Sequence, residues 1–182
     1  MTSIVISILV LGAVLLLAVM VIGPALFGSP WHPISRRDLR RALDFCKAQP
    51  GEHIFDLGSG DGRVLITAAK EYGLRGTGIE IDPLKAAWSR WRVRCAGVQD
   101  KVTLVRASIF EQEYREADIL FIYLTHQAID KLFPAILEQL KPNVKILCYR
   151  FCIQGMTPDK VDSGKTLFLY TLNKGTRVDQ FR

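Results

Sequence analysis

The first 35 residues of this chain contain no aspartate, glutamate, lysine or arginine, although charged residues make up 23% of the whole sequence. Within this stretch, residues 4–22 are apolar apart from Ser7 and Gly12. A run of about 20 apolar residues is long enough to cross a bilayer as a helix. The basic region of a cleaved signal peptide is also missing, and the run exceeds the apolar part of such a peptide. We therefore predict a retained transmembrane anchor in residues 1–28, followed by one domain in residues 29–182.

The first charged residues after the apolar run are two arginines, and four arginines surround the single acidic residue Asp38 in this segment. The four are Arg36, Arg37, Arg40 and Arg41. By the positive-inside rule, this side of the anchor faces the cytoplasm, which predicts a single-pass membrane protein with a cytoplasmic domain. A nearby anionic membrane accounts for the net charge of +6. Because the basic residues are spread along the chain rather than grouped in one tract, nucleic acid is a less favoured partner.

Metal-binding patterns are lacking as well. The chain has four cysteines and three histidines, without a C-x-x-C pair and without histidines at ligand spacing beside the cysteines. These spacings argue against a zinc site. We expect the cysteines to be reduced and buried, as is usual in a cytoplasmic domain.

A glycine-rich segment directly follows a short apolar run. Residues 53–57 (HIFDL) are typical of a buried parallel strand. The glycine segment, Gly58-Ser59-Gly60-Asp61-Gly62, can turn tightly and let a ligand approach the backbone, and a helical pattern begins at Arg63. Glu80 ends the next predicted strand, where a carboxylate can accept hydrogen bonds from ribose hydroxyls. These features predict a site for a nucleoside cofactor.

The glycine segment departs from the dinucleotide pattern G-x-G-x-x-G, because its third glycine comes one residue early. In a dinucleotide site the pyrophosphate lies at the helix N-terminus, where Asp61 would repel it. S-adenosylmethionine has no phosphate and carries a sulfonium and an ammonium, with which Asp56 and Asp61 are compatible. The alternative is a turn that needs glycine for its geometry alone. The spacing together with Glu80 favours S-adenosylmethionine.

Strands and helices alternate along the rest of the chain. We predict strands in residues 53–57, 75–81, 102–107, 117–124, 144–151 and 166–172, with 160–163 as a short hairpin partner of the last. We predict helices in residues 36–48, 63–72, 82–96 and 126–140. In the third helix, the residues expected to pack in or beside the core are Leu84, Ala87, Trp88, Trp91 and Cys95. This order predicts an α/β fold, a Rossmann-like doubly wound sheet.

Ligands of such sheets lie beyond the carboxyl ends of the strands, at the point where the strand order reverses. We therefore expect the glycine segment, Glu80, Ser108 and residues 123–126 to surround one crevice. Residues 123–126 follow the fourth strand and would face the end of the cofactor that carries the methyl group.

The segment 56–62 (DLGSGDG) resembles the first motif of the class I, seven-strand S-adenosylmethionine-dependent methyltransferases. The segment 78–83 (GIEIDP) resembles the part of that family that carries the ribose-binding acid. The apolar N-terminus, Pro33-Ile34-Ser35, the FIYLT of residues 121–125 and Arg150-Phe151 resemble one subfamily, the membrane-anchored protein-lysine methyltransferases that act on the ADP/ATP carrier and on the membrane-embedded c-ring protein of ATP synthase. This resemblance implies that the substrate is a membrane or membrane-proximal protein.

The resemblance also implies roles for individual residues. Asp56, Gly58 and Gly60 would line the methionine end of the cofactor, Glu80 would hold the ribose hydroxyls, and Ile81 would pack against adenine. The predicted cofactor-binding residues are Asp56, Gly58, Ser59, Gly60, Asp61, Glu80, Ile81, Ser108 and Ile109.

One departure from the family pattern matters for the cofactor. The loop after the third strand often carries an acidic residue that binds the adenine amino group, but here it reads Ser108-Ile109-Phe110, and a serine accepts such a bond more weakly. The Asn/Asp-Pro-Pro-Tyr motif of amino-methylating DNA and glutamine enzymes is absent, and Tyr123-Leu124-Thr125 stands in its place.

A lysine acceptor must lose a proton before it is methylated, and a positioned polar group can hold the amine and take that proton. The predicted catalytic candidates are Tyr123, Thr125 and His126. Each also has a purely structural interpretation, since Tyr123 ends a buried strand and His126 stands at the start of a helix. Two other functions stay open: methylation of a small, lipid-like or RNA substrate, and non-catalytic binding of S-adenosylmethionine.

Overall fold

A computed structural model of the chain describes residues 4–8, 10–12, 14–15 and 32–172. The chain separates into two compact units, Met1–His32 and Pro33–Arg182. In the first unit the described residues between positions 4 and 15 are helical, and their large apolar side chains are more than half exposed. Most of the predicted anchor, residues 1–28, lies outside the described residues. Within the described ranges, no helix is both long enough and apolar enough to cross a membrane.

The second unit alternates strands and helices in the predicted order. Its strands are β1 (His53–Leu57), β2 (Arg75–Glu80), β3 (Val102–Arg106), β4 (Ile119–Ile122), β5 (Lys145–Tyr149), β6 (Lys160–Val161) and β7 (Leu167–Thr171). Its helices are α1 (Arg36–Phe45), α2 (Arg63–Glu71), α3 (Pro83–Cys95) and α4 (His126–Ile136), and a 3-10 turn (Leu137–Gln139) follows α4. The predicted hairpin at the end of the sheet is confirmed, because β6 and β7 pair antiparallel.

The strands form one sheet in the order β3-β2-β1-β4-β5-β7-β6. Strands β1 to β5 are parallel, and β7 runs antiparallel to β5. The chain proceeds outward from β1 to β3 and then returns to place β4 on the other side of β1. This reversal between β1 and β4 is the topological switch point, beyond which ligands of such sheets bind. The predicted doubly wound α/β sheet is confirmed.

Two apolar layers cover the two faces of the sheet. Successive residues of a strand point to opposite faces, so Ile54 packs into one layer and Phe55 into the other. The first layer contains the buried sides of α1, α2 and α3, and the second contains that of α4. The prediction that the cysteines are buried holds only in part, because Cys46 and Cys148 are buried whereas Cys152 is half-buried and Cys95 is exposed.

The predicted inner face of α3 is wrong. The exposed fractions are 49% for Leu84, 53% for Trp88 and 54% for Trp91, and Ala87 and Cys95 are exposed as well. The residues that α3 buries are instead Ala86, Ser89 and Val93. The reason is close packing, since a Cβ placed on Gly62 would lie 2.3 Å from the Ser89 hydroxyl oxygen. Only small side chains fit between α3 and the glycine segment, so the large side chains of α3 face outward.

Candidate active site

The glycine segment lies at the switch point and is fixed there by the neighbouring strand. The backbone N–H groups of Gly58 and Ser59 both donate to the carbonyl of Ile79 in β2, each at 2.9 Å. A Cβ on Gly58 would lie 3.3 Å from the side chain of Leu124, just after β4. Three glycines of the segment have left-handed backbone conformations, with φ of 79° at Gly58, 54° at Gly60 and 74° at Gly62. Side chains other than glycine rarely adopt this conformation, so the turn requires these glycines.

Glu80, the predicted ribose ligand, is buried at the carboxyl end of β2 and held by two backbone groups. Its Oε2 accepts a hydrogen bond from Gly60 N at 2.8 Å, and its Oε1 accepts one from Asp82 N at 2.9 Å. A carboxylate oxygen can accept more than one hydrogen bond, so both oxygens can still accept from ligand hydroxyls. Glu80 therefore suits a ribose diol, and the backbone already holds the carboxylate in one orientation.

Asp56 is a buried acid that lacks a compensating partner in the part of the chain that the structure describes. Its side chain is 3% exposed, and among the described residues its Oδ2 has no hydrogen-bond partner. Burial, followed by the negative charges of Glu80 and Asp61, raises the pKa of Asp56 to about 8. The Ser59 hydroxyl, three residues further along the chain, is also buried without a partner in the described part of the chain. Such groups are costly unless a ligand satisfies them, and the ammonium of S-adenosylmethionine has the charge that this corner of the site needs.

Asp61, predicted to face the cofactor, is paired instead with two arginines. Arg63 Nε donates to Asp61 Oδ1 at 2.9 Å, and Arg92 of α3 forms an ion pair with Oδ2. Burial by itself would raise the pKa of Asp61, but the hydrogen bonds and charges of the arginines outweigh it and hold that pKa below its usual value. Asp61 thus joins the start of α2 to α3, and its role as a cofactor ligand stays a prediction. Sequence analysis did not identify either arginine partner.

The predicted adenine end is built from the loop after β3. Ala107 N donates to the Glu80 carbonyl at 3.2 Å, which places this loop beside the ribose acid. The Ser108 hydroxyl accepts from Phe110 N at 3.3 Å, so part of its accepting capacity is used within its own turn. Ile109 packs against the second apolar layer, whereas Ile81 and Phe110 leave apolar surface exposed. The loop has apolar surface for a planar base but offers it only a weak acceptor.

Replacing Ser108 by aspartate is expected to tighten the binding of S-adenosylmethionine about fivefold, because a charged acceptor forms a stronger hydrogen bond to an amino group. An aspartate can also accept from Phe110 N, so the turn should be preserved. Isothermal titration of the wild type, Ser108→Asp and Ser108→Asn measures the effect. If the aspartate variant binds no more tightly than the asparagine variant, Ser108 does not contact adenine.

Two tyrosines stand side by side where β4 and β5 end. Ile122 pairs with Cys148, so the residues that follow, Tyr123 and Tyr149, are neighbours. Their ring centroids are 4.9 Å apart and the rings are nearly perpendicular. The Arg150 guanidinium lies 5.9 Å from the Tyr123 centroid and 5.6 Å from the Tyr149 centroid, within the range of cation–π attraction. The aromatic pair therefore already attracts a cation at the rim of the sheet.

Tyr149 was missed by sequence analysis, although a signal was present. Aligning the ends of the predicted fourth and fifth strands as parallel neighbours pairs Tyr123 with Arg150, one residue away from Tyr149. The Tyr149 hydroxyl donates to Asp38 of α1 at 3.3 Å, so this tyrosine also has a structural partner.

The other two catalytic candidates have different neighbours. The Thr125 hydroxyl caps α4 by accepting from Ala128 N at 3.4 Å. The His126 ring lies 4.7 Å from the ring of Phe151, and its buried Nδ1 has no hydrogen-bond partner among the described residues. Phe151 packs against the second apolar layer, whereas Tyr123 packs against the first. The structure therefore does not group Tyr123 with His126, and the catalytic roles of all three candidates stay predictions.

A family model described as the ANTKMT methyltransferase domain matches residues 56–160. The chain belongs to this family. The matched part begins at Asp56, at the end of β1, and reaches β6, so it includes the glycine segment, Glu80 and both tyrosines. The enzyme is an S-adenosylmethionine-dependent methyltransferase, and both the predicted cofactor and the predicted resemblance are confirmed.

Relatives of the enzyme differ in the acceptors that their names give. A protein-lysine N-methyltransferase of Saccharolobus islandicus is 29% identical over 152 residues, covering 80% of this chain and 94% of the relative. An adenine nucleotide translocase lysine N-methyltransferase of Mus musculus is 26% identical over 130 residues, covering 71% of this chain and 56% of the relative. A crystal structure from Salinibacter ruber, described as an RNA methyltransferase in complex with S-adenosyl-L-homocysteine, is 34% identical with a TM-score of 0.77, covering 80% of this chain and 97% of that one.

Proposed function

We propose that this enzyme methylates a lysine side chain of a membrane or membrane-proximal protein. The observation that carries the proposal is the pair of Tyr123 and Tyr149 beside the glycine segment, because two aromatic rings that attract Arg150 can also attract a lysine ammonium. The names of the Saccharolobus and Mus relatives support a lysine acceptor.

In this proposal the residues of the chain hold and orient both reactants. When bound, S-adenosylmethionine supplies a methyl carbon activated by its sulfonium. Asp56 and the glycine segment hold the methionine end, and Glu80 holds the ribose. Tyr123, where β4 ends, accepts a hydrogen bond from the lysine amine and orients its lone pair. Positioning of this kind supplies much of the rate of a group transfer, since the reacting atoms are already aligned.

We further propose that residues 4–22 anchor the enzyme in a membrane, with the methyltransferase domain in the cytoplasm. The uncharged first 35 residues and the four arginines that follow support this arrangement. An anchored enzyme meets membrane proteins at a raised effective concentration, so a single accessible lysine near the bilayer is sufficient as a target.

The decisive experiment follows the methyl group into the possible acceptor classes. Membranes from cells that lack the enzyme are incubated with the purified full-length chain and radiolabelled S-adenosylmethionine, then separated into protein, lipid and RNA. We expect the label in protein, recovered as methyl-lysine after hydrolysis. Glu80→Ala serves as the inactive control. Label found only in lipid would exclude the lysine proposal.

Methylation of RNA is the second candidate, favoured by the described activity of the Salinibacter relative. The same fractionation distinguishes it, because label that is lost on treatment with ribonuclease and kept on treatment with protease identifies RNA as the acceptor. A soluble RNA fraction should be included, since an RNA acceptor need not lie at a membrane.

Replacing Tyr123 by phenylalanine is expected to lower the rate of methyl transfer about tenfold or more, because it removes the hydroxyl that orients the amine and keeps the ring. Affinity for S-adenosylmethionine should stay unchanged. Tyr149→Phe is the matched control, since the Tyr149 hydroxyl already bonds Asp38, and we expect its rate to stay within about threefold of the wild type. Single-turnover rates on the labelled protein acceptor test both variants. If the rate of methyl transfer falls equally in the two variants, the Tyr123 hydroxyl has no specific role in orienting the amine.

A further inference from the structure

An apolar stripe runs along the exposed side of α3. It consists of Leu84, Trp88 and Trp91, each about half exposed. Their spacing of four and then three residues places them on one side of the helix. The two tryptophan rings stack on each other, with centroids 4.7 Å apart and planes inclined by 28°. This stripe offers two of the three tryptophans of the whole chain to solvent, next to a leucine.

The charges of α3 are of one sign. The helix contains Lys85, Arg90, Arg92 and Arg94 and no acidic residue. Lys85 pairs with Asp82, and Arg92 pairs with Asp61. The remaining two arginines are exposed and, within the described residues, form no ion pair. Arg90 makes one long hydrogen bond, 3.5 Å to the Leu104 carbonyl of the edge strand β3.

Tryptophan and arginine together match the chemistry of an anionic membrane surface. Tryptophan prefers the boundary between headgroups and acyl chains because its ring is apolar and its N–H is polar. Each arginine near an anionic leaflet is attracted by its negative surface potential. We propose that the apolar stripe, together with Arg90 and Arg94, docks the methyltransferase domain on an anionic bilayer surface.

Single-stranded nucleic acid is the other ligand that binds tryptophan and arginine, and the geometry favours it less. Bases bind by stacking on open aromatic faces. Trp88 and Trp91 cover one face of each other, and Leu84 offers no stacking surface. In a bilayer, by contrast, the edges of stacked rings and a leucine side chain can both be buried, because the burial of apolar area does not depend on direction.

The docking surface goes beyond the proposed function, because it depends neither on a lysine acceptor nor on the N-terminal anchor. A single weak membrane contact is reversible, and stable attachment takes two signals. With the apolar N-terminus as one contact and α3 as the other, the domain would lie against the membrane in one orientation rather than moving freely at the end of a tether.

The test uses the full-length chain with Trp31→Phe, so that all tryptophan emission comes from Trp88 and Trp91. The protein is mixed with vesicles of phosphatidylcholine alone or of phosphatidylcholine with phosphatidylserine. We expect anionic vesicles to shift the emission to shorter wavelength and to reduce quenching by aqueous acrylamide, and added salt to reverse both changes. Flotation of the protein with neutral vesicles measures membrane binding by the N-terminal segment separately from binding by α3.

The matched variant carries Arg90→Gln and Arg94→Gln in the same background. It should need roughly tenfold to thirtyfold more anionic lipid for the same shift in emission. Its affinity for S-adenosyl-L-homocysteine should be unchanged, which verifies that the domain is folded. An equal shift with neutral and anionic vesicles, or no effect of the arginine changes, would overturn the proposal. A larger shift with a single-stranded RNA oligonucleotide than with anionic lipid would assign the surface to RNA instead.

Discussion

Replacing Glu80 by glutamine is expected to weaken the binding of S-adenosylmethionine about 100-fold, because each hydrogen bond to a charged acceptor contributes roughly 1.5 to 3 kcal/mol. Each Glu80 oxygen already accepts from one backbone N–H, of Gly60 or of Asp82, and can accept a further hydrogen bond from the ribose. The amide nitrogen of glutamine accepts no hydrogen bond. One backbone N–H and one ribose hydroxyl therefore lose their acceptor together.

Isothermal titration with S-adenosylmethionine and with S-adenosyl-L-homocysteine measures this loss. Glu52→Gln is the matched control, because Glu52 also binds a backbone N–H, that of Gln49, and lies before β1 at the opposite end of that strand from the site. Its cofactor affinity should equal that of the wild type. Glu80→Ala should bind still more weakly than Glu80→Gln. If both Glu80 variants bind as tightly as the wild type, the pocket has been assigned to the wrong residues.

Replacing Asp56 by asparagine is expected to stabilise the cofactor-free protein by at least about 2 kcal/mol at pH 8 and to weaken cofactor binding at least tenfold. The ordinary pKa of this carboxyl is 3.8, and the fold raises it to about 8. Between these two values the unfolded chain has released the proton and the folded chain has kept it. The free energy of unfolding contributed by Asp56 therefore falls as pH rises through this range, and the loss levels off above about pH 8. An amide avoids the loss, but it also lacks the charge that we propose holds the cofactor ammonium.

Urea unfolding at pH 5 and pH 8 tests the stability change, and titration with S-adenosylmethionine tests the affinity. The advantage of Asp56→Asn should grow from pH 5 to pH 8. Asp61→Asn is a control of opposite sign, because the fold lowers the pKa of Asp61. The stability that Asp61 contributes is present above its ordinary pKa of 3.8 and is lost as pH falls through its lowered value, so removing its charge should destabilise the protein at both pH 5 and pH 8. If Asp56→Asn is less stable than the wild type at pH 8, the buried Asp56 carboxylate does not destabilise the folded protein.

Much of the fold could be predicted because its signals are local. The apolar run before Gly58 predicts β1 with its observed bounds, His53–Leu57. Asp82-Pro83 predicts the start of α3, where the Asp82 side chain accepts from Leu84 N at 2.9 Å. The position of Glu80 relative to the glycine segment was also predictable, since both features belong to one strand-helix-strand unit.

The features that could not be predicted depend on contacts between distant parts of the chain. The side chains that α3 turns inward are determined by how closely the helix approaches Gly62. The spacing of apolar residues in the sequence does not reveal this close approach. The pairing of Asp61 with Arg92 joins residues 31 positions apart. Tyr149 becomes a neighbour of Tyr123 only because β5 lies beside β4. Sequence analysis therefore proposed residues for the cofactor side of the crevice in more detail than for the acceptor side.

The close approach of Ser89 to Gly62 has a mechanical consequence. On one side of this contact is the glycine segment, and on the other side of the same helix is the apolar stripe with its two tryptophans. Close-packed contacts transmit strain because they contain no free volume to absorb it. A displacement of the glycine segment would therefore move α3 almost as a rigid body. The glycine segment and the outward-facing stripe are therefore coupled through one helix, with Ser89 at the point of contact.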